Sequence, residues 1–211
     1  MHKRNILAAG TPVDQAEKVM IFIHGRGGDA QGMMEIAGVL NVNGFALLAP
    51  QATGNTWYPY SFLSLVEMNE PWLTSAIHSV HELIDEVVSI GIKSENIYLL
   101  GFSQGACLTL ESAARKAQRY GGLIAFTGGL IGETIDQDNY IGNFQGTPVF
   151  IGSGDPDPHI PVSRVKESNR ILTGLGAVVT EKIYPGIAHT IIQDEVDWVN
   201  SNILEAAGSR Q

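Results

Sequence analysis

Short continuous apolar runs alternate along this chain with segments of helical periodicity. The runs are Val19 to Ile23, Phe45 to Ala49, Ile97 to Leu100, Leu123 to Phe126 and Val149 to Ile151. None alternates apolar with polar, the mark of parallel strands covered on both faces. A later run, Ala177 to Ile183, carries Thr180, Glu181 and Lys182 and reads as an edge strand. The clearest helix spans Pro71 to Ile90, with Leu73, Ile77, Val80, Ile84, Val87 and Val88 on one face and Gly91 as its stop. Others cover Gln31 to Leu40, Gln104 to Tyr120, Pro161 to Leu175 and Ile191 to Ala206. This order predicts βαβ units, a mostly parallel central sheet and helices on both faces. No repeat, low-complexity segment or linker interrupts it, so residues 1–211 are expected to form one α/β domain.

The stretch Gln51 to Pro71 is the one long connection without periodicity. Trp57, Tyr58, Tyr60 and Phe62 argue against disorder there. In a doubly wound sheet it leaves the carboxyl end of a strand, the side where ligands bind. Trp57 and Tyr58 are therefore candidate substrate contacts, and an aromatic cluster sealing the core under a loop is the competing reading.

Composition narrows the function classes. The formal net charge of −9 argues against sequence-independent nucleic-acid binding and against stable association with anionic membranes. A single cysteine, Cys107, excludes an internal disulfide and fits a reducing compartment, so a cytoplasmic location is expected. Residues Met1 to Gly10 hold only a short apolar patch, and no run reaches the length of a membrane span.

The sharpest local signal is Gly101-Phe102-Ser103-Gln104-Gly105, between an apolar strand and a helix-forming stretch. A G-x-S-x-G turn in that context is a nucleophile elbow, which lifts a serine hydroxyl to the tip of a sheet. Ser103 then needs a base and an acid. In elbow hydrolases these follow in the order nucleophile, acid, histidine, on loops after later strands. Asp155 and Asp157 follow the run that ends near Gly152, and both precede prolines, which stiffen the loop. His189 sits between the last strand and the last helix, a position that His2, His24 and His159 lack. The tetrahedral oxyanion also needs donors. The N–H of Gln104, at a helix N-terminus, is one. The glycine-rich loop His24-Gly25-Arg26-Gly27-Gly28 offers the other, from Arg26 or Gly27.

With these residues in place the chain resembles the phospholipase/carboxylesterase family of small α/β-hydrolases, which includes the acyl-protein thioesterases. The resemblance runs from about Lys18 to Trp198. Its pieces are the strand ending in His24-Gly25, the Gly101–Gly105 elbow with its glutamine, Gly154-x-x-Asp157-x-x-Ile160-Pro161, and Tyr184-Pro185-Gly186 before His189. It implies an α/β-hydrolase fold without a large lid, residues 131–146 forming at most a small flap. It assigns the acid to Asp157 and the first oxyanion donor to Arg26. The implied activity is hydrolysis of small carboxylic esters through an acyl-enzyme, with no cofactor and no metal. The alternatives are a thioesterase on acylated proteins or small thioesters, and a ligand-binding protein of the same fold. The oligomeric state stays open, a homodimer included. The family more often carries a leucine-like residue at the Arg26 position, and the cation here is expected to favour acidic or polar substrates.

Other residues read more plainly. His78, His81, Glu82 and Asp85 share the polar face of their helix and are expected to be solvated rather than metal-binding. Cys107 and the pair Met33-Met34 are expected in the core. Asp194, Glu195 and Asp197 suit the first turns of the last helix electrostatically.

Overall fold

A computed structural model describes residues 1–204. Its strands are β1 (Ile6–Gly10), β2 (Val19–Ile23), β3 (Ala46–Pro50), β4 (Ile97–Phe102), β5 (Gly122–Phe126), β6 (Pro148–Asp155) and β7 (Val178–Pro185). They form one sheet in the order β1-β3-β2-β4-β5-β6-β7, antiparallel only where β1 meets β3. The helices are α1 (Ala30–Met34), α2 (Val66–Asn69), α3 (Trp72–Ser89), α4 (Gln104–Arg115), α5 (Val162–Gly174) and α6 (Gln193–Val199).

The sheet is covered on both faces, which is why its inner strands read as unbroken apolar runs. In β2, Val19, Ile21 and Ile23 enter one apolar cluster with Leu73 of α3, Leu108 of α4 and Val165 of α5. Met20 and Phe22 enter the other, with Met33 and Met34 of α1 and Val196 and Val199 of α6. This is the expected α/β-hydrolase architecture, with no large lid among the described residues. β7 lies at the sheet edge, only partly buried, as its polar residues indicate.

Several boundaries differ from the sequence expectation. The edge strand β1 falls in the N-terminal patch that carries no strand signal. Its five residues lie at the rim of the sheet and show no clean alternation. β6 runs on to Asp155 because Gly152, Ser153, Gly154 and Asp155 pair with Lys182, Ile183, Tyr184 and Pro185 of β7, a partnership local hydrophobicity does not encode. The helix expected over 104–120 stops at Arg115, and the Ala117 N–H goes instead to the Ile141 carbonyl. That expected over 31–40 is α1 followed by a 3₁₀ turn over Glu35–Val39. The last helix begins at Gln193 and passes into a π turn over Asn200–Leu204; its expected end at Ala206 lies outside the described residues.

Residues 131–146 are no flap. Ile131, Ile135, Tyr140 and Phe144 are buried, the Tyr140 hydroxyl donates to Glu111 Oε2 at 2.9 Å, and the Arg164 guanidinium holds the carbonyls of Leu130, Gly132 and Glu133. His81 also departs from its expected solvation, since its Nε2 donates to the Ser112 carbonyl at 2.8 Å and so joins α3 to α4.

Candidate active site

Ser103 stands at the turn between β4 and α4 with φ 56° and ψ −120°, a left-handed conformation that costs a non-glycine residue energy. Hydrogen bonds on either side hold it there: Ser103 N donates to the Phe126 carbonyl and Cys107 N to the Ser103 carbonyl, each at 3.0 Å. Gly105 must lack a side chain because a Cβ there would run into the carbonyls of Ile23 and His24 at the end of β2. The strain at Ser103 therefore follows from close packing of α4 against β2.

The last two parallel strands deliver the partners. His189 Nε2 lies 2.7 Å from Ser103 Oγ, and its Nδ1 lies 2.8 Å from Asp157 Oδ2. The Asp157 carboxylate is fully buried, and its second oxygen accepts the N–H groups of His159 at 2.7 Å and Ile160 at 2.9 Å. Burial opposes ionisation of Asp157, but those N–H groups and the His189 imidazole outweigh it and hold the carboxyl below its ordinary value. Asp155 is exposed and takes no part in this chain; its carbonyl accepts from Gly186 N at 2.7 Å. Gly154 explains how the two loops meet, since a Cβ there would collide with the Ile187 carbonyl two residues before His189.

Two backbone amides stand just past the carboxyl ends of the neighbouring parallel strands β2 and β4. Neither the Arg26 nor the Gln104 N–H has a protein acceptor among the described residues, whereas the neighbouring Gly27 and Gly28 amides donate to Asn55 and Gly25 carbonyls. Gln104 opens α4, where the first turn leaves its donors free. The side chains of both residues reach the 56–60 loop. Gln104 Nε2 donates to the Tyr58 carbonyl at 2.8 Å, and its Oε1 accepts Trp57 N at 2.9 Å and Thr56 Oγ1 at 3.2 Å. The Arg26 guanidinium donates to Thr56 Oγ1, the Pro59 carbonyl and the Tyr60 carbonyl at 3.0, 2.8 and 2.6 Å.

The hydroxyl opens into a cleft of about 700 Å³. Tyr58, Phe62, Leu63, Phe102 and Ile160 make its apolar walls, and Arg26 and His159 bring polarity to it. Tyr58 thus lines the cleft as the aromatic loop suggested. Trp57 does not. Its indole N–H donates to the His24 carbonyl at 2.9 Å and its ring packs against His24 and His2, so it seals the core behind the loop. Both readings of that segment hold, for adjacent residues that point in opposite directions.

The other histidines have separate work. His24 Nε2 accepts the Ala52 N–H at 3.1 Å, so its proton sits on Nδ1 and goes to the Gly25 carbonyl at 2.7 Å. Burial lowers its pKa and keeps it neutral, a strut under the Arg26 loop. The His159 ring meets His189 edge-on, centroids 5.0 Å apart. Cys107 is buried, which pushes its thiol up to about 12 and makes it an apolar neighbour of the cleft. Sequence reasoning named Phe62 only as part of the aromatic loop, and it did not single out Leu63 or Ile160 as cleft walls, because each reads as an ordinary apolar position. It also missed the side-chain role of Gln104. Among the described residues no group of three or more His, Cys, Asp or Glu is arranged to hold a metal ion, and no helix is long and apolar enough to cross a membrane.

The chain has counterparts among known proteins. The crystal structure of a phospholipase/carboxylesterase from Dyadobacter fermentans DSM 18053 is similar over 96% of this chain and 97% of that one, with 51% identity and a TM-score of 0.95. An acyl-protein thioesterase 1 from Saccharomyces cerevisiae is 25% identical over 97% of this chain and its own full length. Another acyl-protein thioesterase 1, from Gibberella zeae, is 34% identical over 57% of this chain and 52% of the relative. The family model described as Phospholipase/Carboxylesterase matches residues 5–205, a span that takes in all seven strands, the strained serine and both loops that meet it. The chain belongs to the phospholipase/carboxylesterase family.

Proposed function

We propose that this hydrolase cleaves small carboxylic esters through an acyl-enzyme formed on Ser103. His189 takes the Ser103 proton as the hydroxyl attacks the ester carbonyl, and returns it to the departing alkoxide. Asp157 keeps the His189 proton on Nδ1 and stabilises the imidazolium that forms. The amides of Arg26 and Gln104 donate to the tetrahedral oxyanion. A water activated by the same imidazole then attacks the acyl-enzyme, releases the acid and restores the serine. The observation that carries this reading is the unbroken relay from Ser103 Oγ to His189 at 2.7 Å and on to Asp157 at 2.8 Å.

A fluorophosphonate probe tests it directly. The expected result is one adduct on Ser103 by mass spectrometry, lost in Ser103→Ala, together with turnover of a chromogenic ester. An intact protein that stays unlabelled would favour a ligand-binding role instead. The names of the relatives support a second reading, a thioesterase on acylated proteins or small thioesters. A panel of esters and thioesters of graded chain length separates the two by their kcat/KM order.

A further inference from the structure

The cleft around Ser103 has an electrostatic character that the bulk of the chain lacks. The protein carries a formal charge of −9, yet none of the residues lining this cleft is an aspartate or glutamate. The one permanently charged group there is the Arg26 guanidinium, on the β2 side of the elbow, with the His159 imidazole on the β6 side. No carboxylate pairs with Arg26 among the described residues, although six other lysines and arginines, Arg4, Lys93, Arg115, Lys116, Arg164 and Lys182, do have acidic partners. Two carbonyls and a hydroxyl fix the guanidinium in place. These neutral acceptors orient it without cancelling its charge, and they leave part of its five-donor fork unused. A cation so oriented loses little side-chain freedom when it meets an anion.

We infer that Arg26 forms an anion subsite and that the preferred substrates are esters carrying a carboxylate, their apolar stretch lying along Phe62, Leu63 and Ile160. This rests on the esterase reading above and adds the substrate class. A carboxylate on the acyl half and one on the alcohol half share this chemistry, and paired probes distinguish them.

The acyl pair is the mono-para-nitrophenyl ester of adipic acid against para-nitrophenyl hexanoate. The alcohol pair is para-carboxyphenyl hexanoate against phenyl hexanoate. The readout is the ratio of kcat/KM, anionic over neutral, within each pair. For one pair, the ratio should fall from low salt to half-molar sodium chloride, because screening weakens an exposed charge pair. Arg26→Gln should lower that ratio about fivefold, the upper range for an exposed ion pair, while Arg26→Lys keeps most of it. The pair that responds names the half that carries the anion. A salt-independent ratio in both pairs overturns the inference on the wild-type protein alone, and so does an equal fall in Arg26→Gln and Arg26→Lys, which would mark Arg26 as a loop tether only. Failure to cleave any ester of either pair, anionic or neutral, would sink the esterase reading itself, a result distinct from these.

Discussion

The Gln104 side chain donates to the Tyr58 carbonyl at 2.8 Å, across 46 positions of sequence, from a residue that itself lines the cleft beside Ser103. The wall of the cleft and the proposed oxyanion hole are thereby joined through one buried amide. Arg26 repeats the arrangement from the other side of the same loop.

Gln104→Ala should therefore act on binding more than on chemistry. It keeps the backbone donor but leaves the buried Trp57 N–H without a partner, at a cost of about 1–3 kcal/mol, and leaves the Tyr58 carbonyl only the Thr56 hydroxyl at 3.2 Å. Denaturant melts should show that loss, and KM for a small ester should rise more than kcat falls. A KM equal to that of the wild type would detach the loop from the hole.

Asp157→Asn should lower kcat by about a thousand- to ten-thousand-fold, because an amide can present the wrong hydrogen-bonding partner to His189 Nδ1 and reverse its tautomer. Its oxygen can still accept the His159 and Ile160 amides, so the fold should persist by circular dichroism. Asp155→Asn, at the exposed neighbour, should leave kcat within about twofold of the wild type, the scale expected for a surface change away from the chemistry.

The proposed base works only as a neutral imidazole, so kcat/KM should show an acid limb that rises with pH. A profile with no acid limb would contradict a histidine base.

Gly154→Ala inserts a methyl group between the acid loop and the Ile187 carbonyl. Overpacking of this kind costs about 1–3 kcal/mol, and displacement of His189 by an ångström should cost about a hundredfold in kcat. Gly174→Ala is the control. Nothing lies near its missing Cβ, and it sits in α5, so it should be neutral or stabilising by up to about 1 kcal/mol.

Glu195 sets a pH dependence of stability. Burial pushes its carboxyl up to about 7, with Asp194 adding to the push and the Ile192 N–H and Lys182 opposing it. The folded state thus holds this proton more tightly than the unfolded chain, whose ordinary value is 4.5. Its contribution is complete below 4.5 and is lost as pH rises through 7, at up to about 1.4 kcal/mol per unit. Glu195→Gln is neutral throughout and can still accept the Ile192 N–H. The Tm of the variant minus that of the wild type should be more positive at pH 8 than at pH 5; a constant difference would show that Glu195 does not titrate in this window.

Much of the fold was legible because its signals are local. An inner parallel strand must be apolar on both faces, so Val19–Ile23 announced itself with its observed ends. The elbow was legible for the same reason: a sharp turn jammed between strand and helix requires glycines at fixed offsets from Ser103. β1 was not legible, because an edge strand of five residues needs little apolar surface and takes its identity from pairing with β3. The polar end of β6 was hidden likewise, since β7 supplies its hydrogen bonds.

Sequence alone therefore determined the order of the strands from β2 onward and of the longer helices between them, the serine at its turn and the sequence of loops in which an acid and a histidine follow it. These depend on spacing, side-chain volume and backbone freedom, which a short stretch of chain carries by itself. The resemblance already set Asp157 above Asp155; tertiary structure alone decided that Trp57 turns inward while Tyr58 lines the cleft, and that Gln104 and Arg26 grip the same loop. Those outcomes depend on which distant carbonyl or ring occupies the space beside each side chain, and that is settled only when the sheet brings its loops to one end.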